Sequence, residues 1–180
     1  MHPRKCAHWV GLSLISLSLV CIVANALLLV PDGKTWSSDQ LSLQVLLMPG
    51  FIGGGLMVLC LGIALVLVAV DYDCPEWCLP VCFIEGLLGA IYCLTMSAEG
   101  LRIGPKCSIN GKWDYHFQRD EYLSHPDDWN ICEEPSNVVS WNVTFFSLLV
   151  VVSSLEILLI FSGCCFTCIA VSDEPRSNPF

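Results

Sequence analysis

Four long apolar runs constrain what this chain can fold into. They cover residues 10–30, 46–70, 78–98 and 143–171, and the first two contain no charged residue. The third run contains one charge, Glu85, and the fourth contains one, Glu156. About 20 helical residues cross the hydrocarbon core of a bilayer, and lipid offers backbone groups no partners outside the helix. The runs therefore predict an all-α membrane protein, a four-transmembrane-helix bundle with helices at about 10–30, 46–70, 78–98 and 143–168.

The composition supports this class and excludes others. Hydrophobic residues make up 54% of the chain and charged residues only 14%, whereas soluble domains carry about 25% charged residues. Acidic residues outnumber basic ones by 17 to 8, which argues against nucleic-acid binding because phosphate contacts need a basic face. The histidines show no metal-ligand spacing and no glycine-rich phosphate loop follows a strand, so we expect neither an enzyme nor a cofactor. The length fits a single membrane domain.

The cysteines indicate the orientation of the bundle. Cys107 and Cys132 lie in the long polar loop, residues 99–140, whereas seven cysteines lie near the opposite ends of the runs: Cys6, Cys74, Cys78, Cys82, Cys164, Cys165 and Cys168. Thiols at the membrane edge fit a reducing cytosol, and a pair in a polar loop fits an oxidising exterior. A count of basic residues favours the reverse orientation, but Arg4 and Lys5 lie next to the first run, where their effect is strongest. We therefore predict cytosolic termini and a cytosolic tail at 172–180. We expect the protein in the plasma membrane, with endosomal or lysosomal membranes as the alternative.

The first run has an alternative interpretation. Arg4 and Lys5, the apolar stretch and Ala24-Asn25-Ala26 together have the layout of a signal peptide, whose removal would delete the first span. The apolar run continues to Val30, beyond the cleavage site, and this favours retention of the segment.

Several short motifs occur in an order typical of one family. They are Lys5-Cys6-Ala7, Gly11-Leu12-Ser13-Leu14, residues 25–31, Gly53-Gly54-Gly55-Leu56, Gly104-Pro105-Lys106-Cys107, Trp113 with Tyr115 and Phe117, Trp129 with Cys132, and Trp141-Asn142-Val143-Thr144. On these residues most of the chain resembles the transmembrane-four L-six family of tetraspanin-like membrane proteins. The short acidic inner loop with Asp71, Asp73 and Glu76 departs from the family pattern, as does the tail after Phe161.

The resemblance implies a non-enzymatic scaffold. Members of this family associate laterally with integrins, tetraspanins or growth-factor receptors in membrane microdomains and bear on adhesion, migration and growth. The residues also allow a second function, a membrane sensor or transporter of protons or a cationic solute. Its candidate groups are Glu85 and Glu156, which would lie beneath the acidic outer loop; Asn25 is a further polar group that is costly in lipid. If each span is centred, Glu85 and Glu156 lie at similar depths. The alternative is a structural role, in which neutral glutamates bond across helices to each other or to Ser16 and hold the bundle together.

The long loop is expected to need a covalent crosslink to be stable. It has few aliphatic residues for a core, although Trp113, Tyr115, Phe117, Tyr122 and Trp129 could form a small aromatic cluster. A disulfide between Cys107 and Cys132 would contribute about 3 kcal/mol to its stability. Two free thiols are the alternative.

Two modifications follow from short patterns. Asn142-Val143-Thr144 is an N-glycosylation sequon, and the resemblance implies a glycan at Asn142. The alternative is an unmodified interfacial asparagine. Juxtamembrane thiols are candidates for palmitoylation, here Cys6, Cys74, Cys78, Cys82, Cys164, Cys165 and Cys168; small hydrophobic packing and a zinc site are the alternatives.

Two further motifs concern packing and sorting. Gly50 and Gly54 form a small-xxx-small pair, which predicts close helix packing within the chain or, alternatively, a homo-oligomer. Pro49 adds a local break in the helix. The C-terminal Asn178-Pro179-Phe180 resembles ligands of EH-domain endocytic adaptors.

Overall fold

Long helices account for most of the chain. The computed structural model describes residues 3–70, 75, 77–117, 122–124 and 126–172, with the backbone alone at 3–4, 126–128 and 165–172. We label the long helices α1 (Pro3–Leu28), α2 (Leu43–Ala69), α3 (Cys78–Ile103) and α4 (Val138–Ser172). Within the described residues, these four are long and apolar enough to cross a membrane. The predicted all-α four-helix membrane fold is confirmed.

The helices form an antiparallel ring. α1 and α3 each pack against both α2 and α4, so α1 and α3 stand diagonally across the bundle. Gly11 lies against Gly62, and Asn25 lies against Gly50, so α1 and α2 run in opposite directions. α3 and α4 also run in opposite directions, because Gly100 lies against Phe146 and Gly163 lies against Phe83. The helices therefore alternate in direction, and both long connections lie at one end.

α3 and α4 extend beyond their apolar runs at that end. α3 continues to Ile103, and on its last turn Arg102 Nη2 lies 2.7 Å from Glu99 Oε2. Oppositely charged residues three positions apart on a helix attract each other and stabilise it. Gly104 follows the last residue of α3, and its φ of 79° suits a residue without a side chain.

α2 is a broken helix rather than a regular one. It comprises short helices at Leu43–Leu46 and Pro49–Phe51, a π-helical stretch at Ile52–Met57, and a regular helix at Val58–Ala69. Met48 is left-handed, with φ 48° and ψ 48°, and Pro49 has no backbone N–H to continue the first helix. The local break that Pro49 predicts is present, and the π-helical stretch follows it.

The two connections at one end form what we call the cap, residues 29–42 and 104–137. The second connection contains an antiparallel pair, β1 (Cys107–Ile109) and β2 (Lys112–Asp114), with Cys107 opposite Asp114. Asn110 and Gly111 join the strands with φ values of 53° and 76°, as a tight two-residue hairpin turn requires. Two 3₁₀ helices follow, Tyr122–Ser124 and Pro126–Ile131.

Candidate functional site

A disulfide holds the second connection closed. Cys107 and Cys132 are bonded, with their Cα atoms 5.7 Å apart, as predicted. Phe117, Tyr122 and Val139 are buried around this bond, and the rings of Phe117 and Tyr122 lie 5.1 Å apart. The disulfide and these side chains form the small core of the cap.

The predicted aromatic cluster is only partly formed. Phe117, Tyr122 and Trp129 share the disulfide core. Trp113 instead packs against Trp36 of the first connection, with ring centroids 5.7 Å apart. Tyr115 likewise turns away, and its Oη accepts a hydrogen bond of 3.0 Å from the backbone N–H of Leu43.

The two connections are joined into one unit. Besides the Trp36–Trp113 contact, Lys106 Nζ donates to the backbone oxygen of Asp39. Ser136 Oγ donates to Asp32 Oδ2 at 2.8 Å. This contact between the connections was not predicted from the sequence, because nothing in the first connection marks Trp36 as a partner of the second.

Hydrogen bonds seat the cap on the helix ends. Tyr122 Oη donates to the backbone oxygen of Leu101 at 2.5 Å, and Trp141 Nε1 donates to that of Leu27 at 2.8 Å. Burial disfavours the ionised phenol and raises the pKa of Tyr122 to about 12. The cap is therefore held in a fixed orientation above the bundle.

The cap exposes two large aliphatic side chains outside the apolar spans. Leu123 is 48% exposed and Ile131 is 46% exposed. They belong to neighbouring 3₁₀ helices, which Trp129 Nε1 links by donating to the backbone oxygen of Tyr122 at 2.8 Å. We call Leu123 and Ile131 the cap patch. Contiguous exposed apolar surface is typical of protein-binding sites.

Asn142 of the sequon is buried, with only 3% of its surface exposed. Its Nδ2 atom, to which a glycan would attach, is buried without a hydrogen-bond partner. The residue lines a cavity of about 20 Å³ between the cap and α4, which has room for about one water molecule. This arrangement leaves no room for a sugar on Asn142, so a glycan there requires the cap to open.

Asn25 lies at the break in α2 and satisfies a backbone group there. Asn25 is fully buried, and its Oδ1 accepts a 2.9 Å hydrogen bond from the backbone N–H of Gly50. A Cβ atom on Gly50 would lie 2.7 Å from the backbone oxygen of Cys21, and one on Gly54 would lie 2.8 Å from Cys21 Sγ. Gly50 and Gly54 thus both lie close against Cys21 of α1.

The predicted contact between Glu85 and Glu156 was wrong. Glu156 is fully buried, its Oε1 accepts from Cys21 Sγ at 3.7 Å, and its Oε2 has no hydrogen-bond partner. In the register set by Gly100 with Phe146 and by Gly163 with Phe83, Glu85 lies about 7 Å farther from the cap than Glu156.

Ser16 is not a partner either, since its Oγ donates to the backbone oxygen of Leu12. Glu85 is only half-buried. The two glutamates therefore do not form a shared pocket.

The palmitoylation candidates whose side chains the structure describes lie at the end opposite the cap. Cys164 is exposed, Cys78 and Cys82 are half-buried, and Cys6 is buried. Cys74 and the motif Asn178-Pro179-Phe180 lie outside the described residues, as do the side chains of Cys165 and Cys168. In the part of the chain that the structure describes, no three His, Cys, Asp or Glu residues are grouped to hold a metal ion.

Fold and cap together define a class: a multi-pass membrane protein whose four spans carry one disulfide-closed cap. The model of the family "L6 membrane protein" matches residues 1–171. The chain is 60% identical to bovine (Bos taurus) "Transmembrane 4 L6 family member 5" and 56% identical to its human counterpart, each over 88% of this chain and 87% of the relative. It is 36% identical to "Transmembrane 4 L6 family member 1" of Mesocricetus auratus, again over 88% and 87%. The chain therefore belongs to the transmembrane 4 L6 family. No solved structure matches it.

Proposed function

We propose that this membrane protein is a non-enzymatic scaffold that binds neighbouring membrane proteins laterally through its cap. The observation that supports this function best is the cap patch, because Leu123 and Ile131 are exposed beyond the spans, where lipid tails do not cover them. The partners we propose are integrins, tetraspanins or growth-factor receptors, whose association would bear on adhesion, migration and growth signalling.

The rigidity of the cap supports a binding role. The disulfide, the Trp36–Trp113 contact and the bond from Tyr122 to Leu101 restrain the cap patch before any partner arrives. Binding by a preformed surface avoids much of the entropy cost of ordering loops.

The surface of the bundle supports lateral association in the membrane. Large apolar side chains are exposed on all four helices, among them Leu19, Val23, Ile63, Ile84, Leu88, Val151 and Leu158. In lipid these faces are solvated by acyl chains, and they leave the helices free to contact other transmembrane helices.

Acylation at the end opposite the cap would help to place the scaffold in ordered lipid. Cys164 is exposed, and Cys78 and Cys82 are half-buried near the start of α3. We propose these three as palmitoylation sites, whereas the buried thiol of Cys6 is less suited to acyl transfer. Each chain adds about 0.8 kcal/mol per buried methylene.

We also propose that the cap faces the cell exterior, that both termini are cytosolic and that the protein resides in the plasma membrane. The cap holds a disulfide, which forms in oxidising compartments, and the acylation candidates lie at the other end. A protease added to intact cells should cleave a tag inserted in the cap and spare one at either terminus.

Crosslinking in intact cells, followed by mass-spectrometric identification of neighbours, tests the function. The variant Leu123→Ser/Ile131→Ser should lose most crosslinked integrins, tetraspanins or receptors while it reaches the cell surface in normal amounts. The matched control is Ser124→Ala/Asn130→Ala, which changes exposed polar residues of the same 3₁₀ helices. An unchanged set of neighbours in the cap-patch variant would contradict the proposal.

A further inference from the structure

Three side chains converge at the place where Gly54 has no side chain. A Cβ atom built on Gly54 would lie 2.8 Å from Cys21 Sγ, 3.1 Å from Cys93 Sγ and 3.1 Å from Glu156 Oε2. Cys21, Cys93 and Glu156 are all fully buried. They come from α1, α3 and α4, so the glycine of α2 lets all four helices meet at one point.

The sulfur atoms of the two thiols lie close to each other. Since both sulfur atoms lie near one position, they are at most about 6 Å apart. A disulfide requires Cβ atoms about 3.5–4.5 Å apart. A small shift of the helices adjusts that distance, and side-chain rotation then brings the two Sγ atoms together. α1 and α3 stand diagonally in the bundle, so a bond here would join helices that otherwise contact mainly α2 and α4.

We propose that Cys21 and Cys93 form a redox-active dithiol that membrane-soluble hydroperoxides convert into a disulfide across the bundle. A disulfide is an oxidised form suited to lipid because it carries no charge, whereas a charged sulfinate is costly there. The product locks α1 to α3.

The reaction balances in two steps. Cys21 Sγ donates to Glu156 Oε1 at 3.7 Å, so the neutral carboxyl group of Glu156 relays the thiol proton during the attack. Cys21 Sγ attacks the terminal oxygen of the hydroperoxide and the O–O bond breaks. Glu156 Oε1 takes the thiol proton while Oε2 gives its own proton to the departing oxygen, which leaves as an alcohol. Cys21 becomes a sulfenic acid and Glu156 is neutral again. Cys93 Sγ then attacks the sulfenic sulfur, the S–O bond breaks, and the hydroxyl leaves as water with the proton of Cys93. Two electrons pass from the thiols to the peroxide.

The test uses the full-length protein in nonionic detergent micelles. After treatment with cumene hydroperoxide, the protein is denatured, alkylated with N-ethylmaleimide and digested, and its disulfide-linked peptides are mapped by mass spectrometry. We expect a Cys21–Cys93 link in addition to the Cys107–Cys132 link. Without hydroperoxide, both intramembrane cysteines should be recovered alkylated.

Two variants test the roles of the neighbours. Glu156→Gln keeps the shape of the side chain but removes the carboxyl group that relays the proton, so the Cys21–Cys93 link should form at least tenfold more slowly. Gly54→Ala places a methyl group between the sulfurs and should reduce the link strongly. Cys60→Ser, which changes an exposed thiol of α2, is the control and should oxidise like the parent protein.

The parent protein alone can overturn the proposal, so no variant has to fold for the test to be decisive. Full alkylation of both Cys21 and Cys93 after hydroperoxide would do so, as would a link from either residue to Cys60, Cys78 or Cys82. An unchanged oxidation rate in Glu156→Gln would remove the carboxyl from the mechanism.

Discussion

The backbone N–H of Gly50 donates a hydrogen bond to Asn25 Oδ1 at 2.9 Å inside the helix bundle. Gly50 follows Pro49 at the start of a new helical segment, and the first N–H groups of a helix have no acceptor within it. In lipid an unsatisfied N–H has no water to bond. Asn25 of α1 thus allows α2 to break within the membrane, and the two helices depend on each other at this point.

Removing the Asn25 amide should destabilise the bundle. Asn25→Ala leaves the N–H of Gly50 without an acceptor, at a cost of about 1–3 kcal/mol to the free energy of unfolding. Thermal unfolding in detergent micelles should show a lower midpoint than the parent protein. Ser16→Ala, on an exposed face of the same helix, is the matched control. Equal midpoints for the two variants would show that the hydrogen bond contributes nothing measurable.

A methyl group between α2 and α3 should also be costly. A Cβ atom on Gly53 would lie 2.5 Å from the backbone oxygen of Gly89 and 3.2 Å from the backbone nitrogen of Cys93. Backbone atoms cannot rotate away, so Gly53→Ala should lower the free energy of unfolding by about 1–3 kcal/mol.

Gly163→Ala is the control for Gly53→Ala, because its nearest contact would be a side-chain atom of Val10 at 3.2 Å. Denaturant unfolding of both variants, followed by tryptophan fluorescence, measures the difference. If Gly163→Ala proves the more damaging substitution, the close approach of α2 and α3 is not as described.

The sequence predicted the spans because a helix that crosses lipid must be long, apolar and nearly free of charge. The uncharged runs that include Leu14 and Leu61 mark α1 and α2, and the cysteine pair in the polar loop marks the disulfide. The inward faces could not be predicted. Almost every side chain in these runs is apolar, so no periodicity shows that Glu156 faces the centre while Glu85 stays half-buried.

Contacts between segments that are far apart in the chain also could not be predicted from the sequence. The contact between Trp36 and Trp113 joins residues of two separate connections, and it depends on how the helices place the ends of those connections. The burial of Asn142 likewise depends on contacts between segments that are far apart in the sequence. A sequon is read from three consecutive residues, whereas its exposure is decided by the cap that folds over it.

Loss of the cap disulfide should loosen the cap and leave the bundle intact. Cys107 and Cys132 are 25 positions apart, and a crosslink over a loop of this size stabilises by about 3 kcal/mol. Cys107→Ser/Cys132→Ser should therefore be cleaved faster in the cap by limited proteolysis, with the four spans still protected. Cys60→Ser is the control. If the cap of the double variant resists protease like the parent, the aromatic core and the joint between the connections suffice.

High pH should destabilise the cap through Tyr122. The pKa of this phenol is raised to about 12 because burial disfavours the charged form, whereas an unfolded tyrosine ionises near pH 10. Between about pH 10 and 12 the unfolded cap loses the phenolic proton and the folded cap keeps it, so the stability present below pH 10 falls as the pH rises.

Ultraviolet titration of the protein in micelles should show one phenol that ionises later than the others. In Tyr122→Phe this late phenol should be absent, and its persistence would assign the shift to another tyrosine. The variant also lacks the donor to the backbone oxygen of Leu101, so its cap should be less stable at neutral pH and should lose less of that stability between pH 10 and 12.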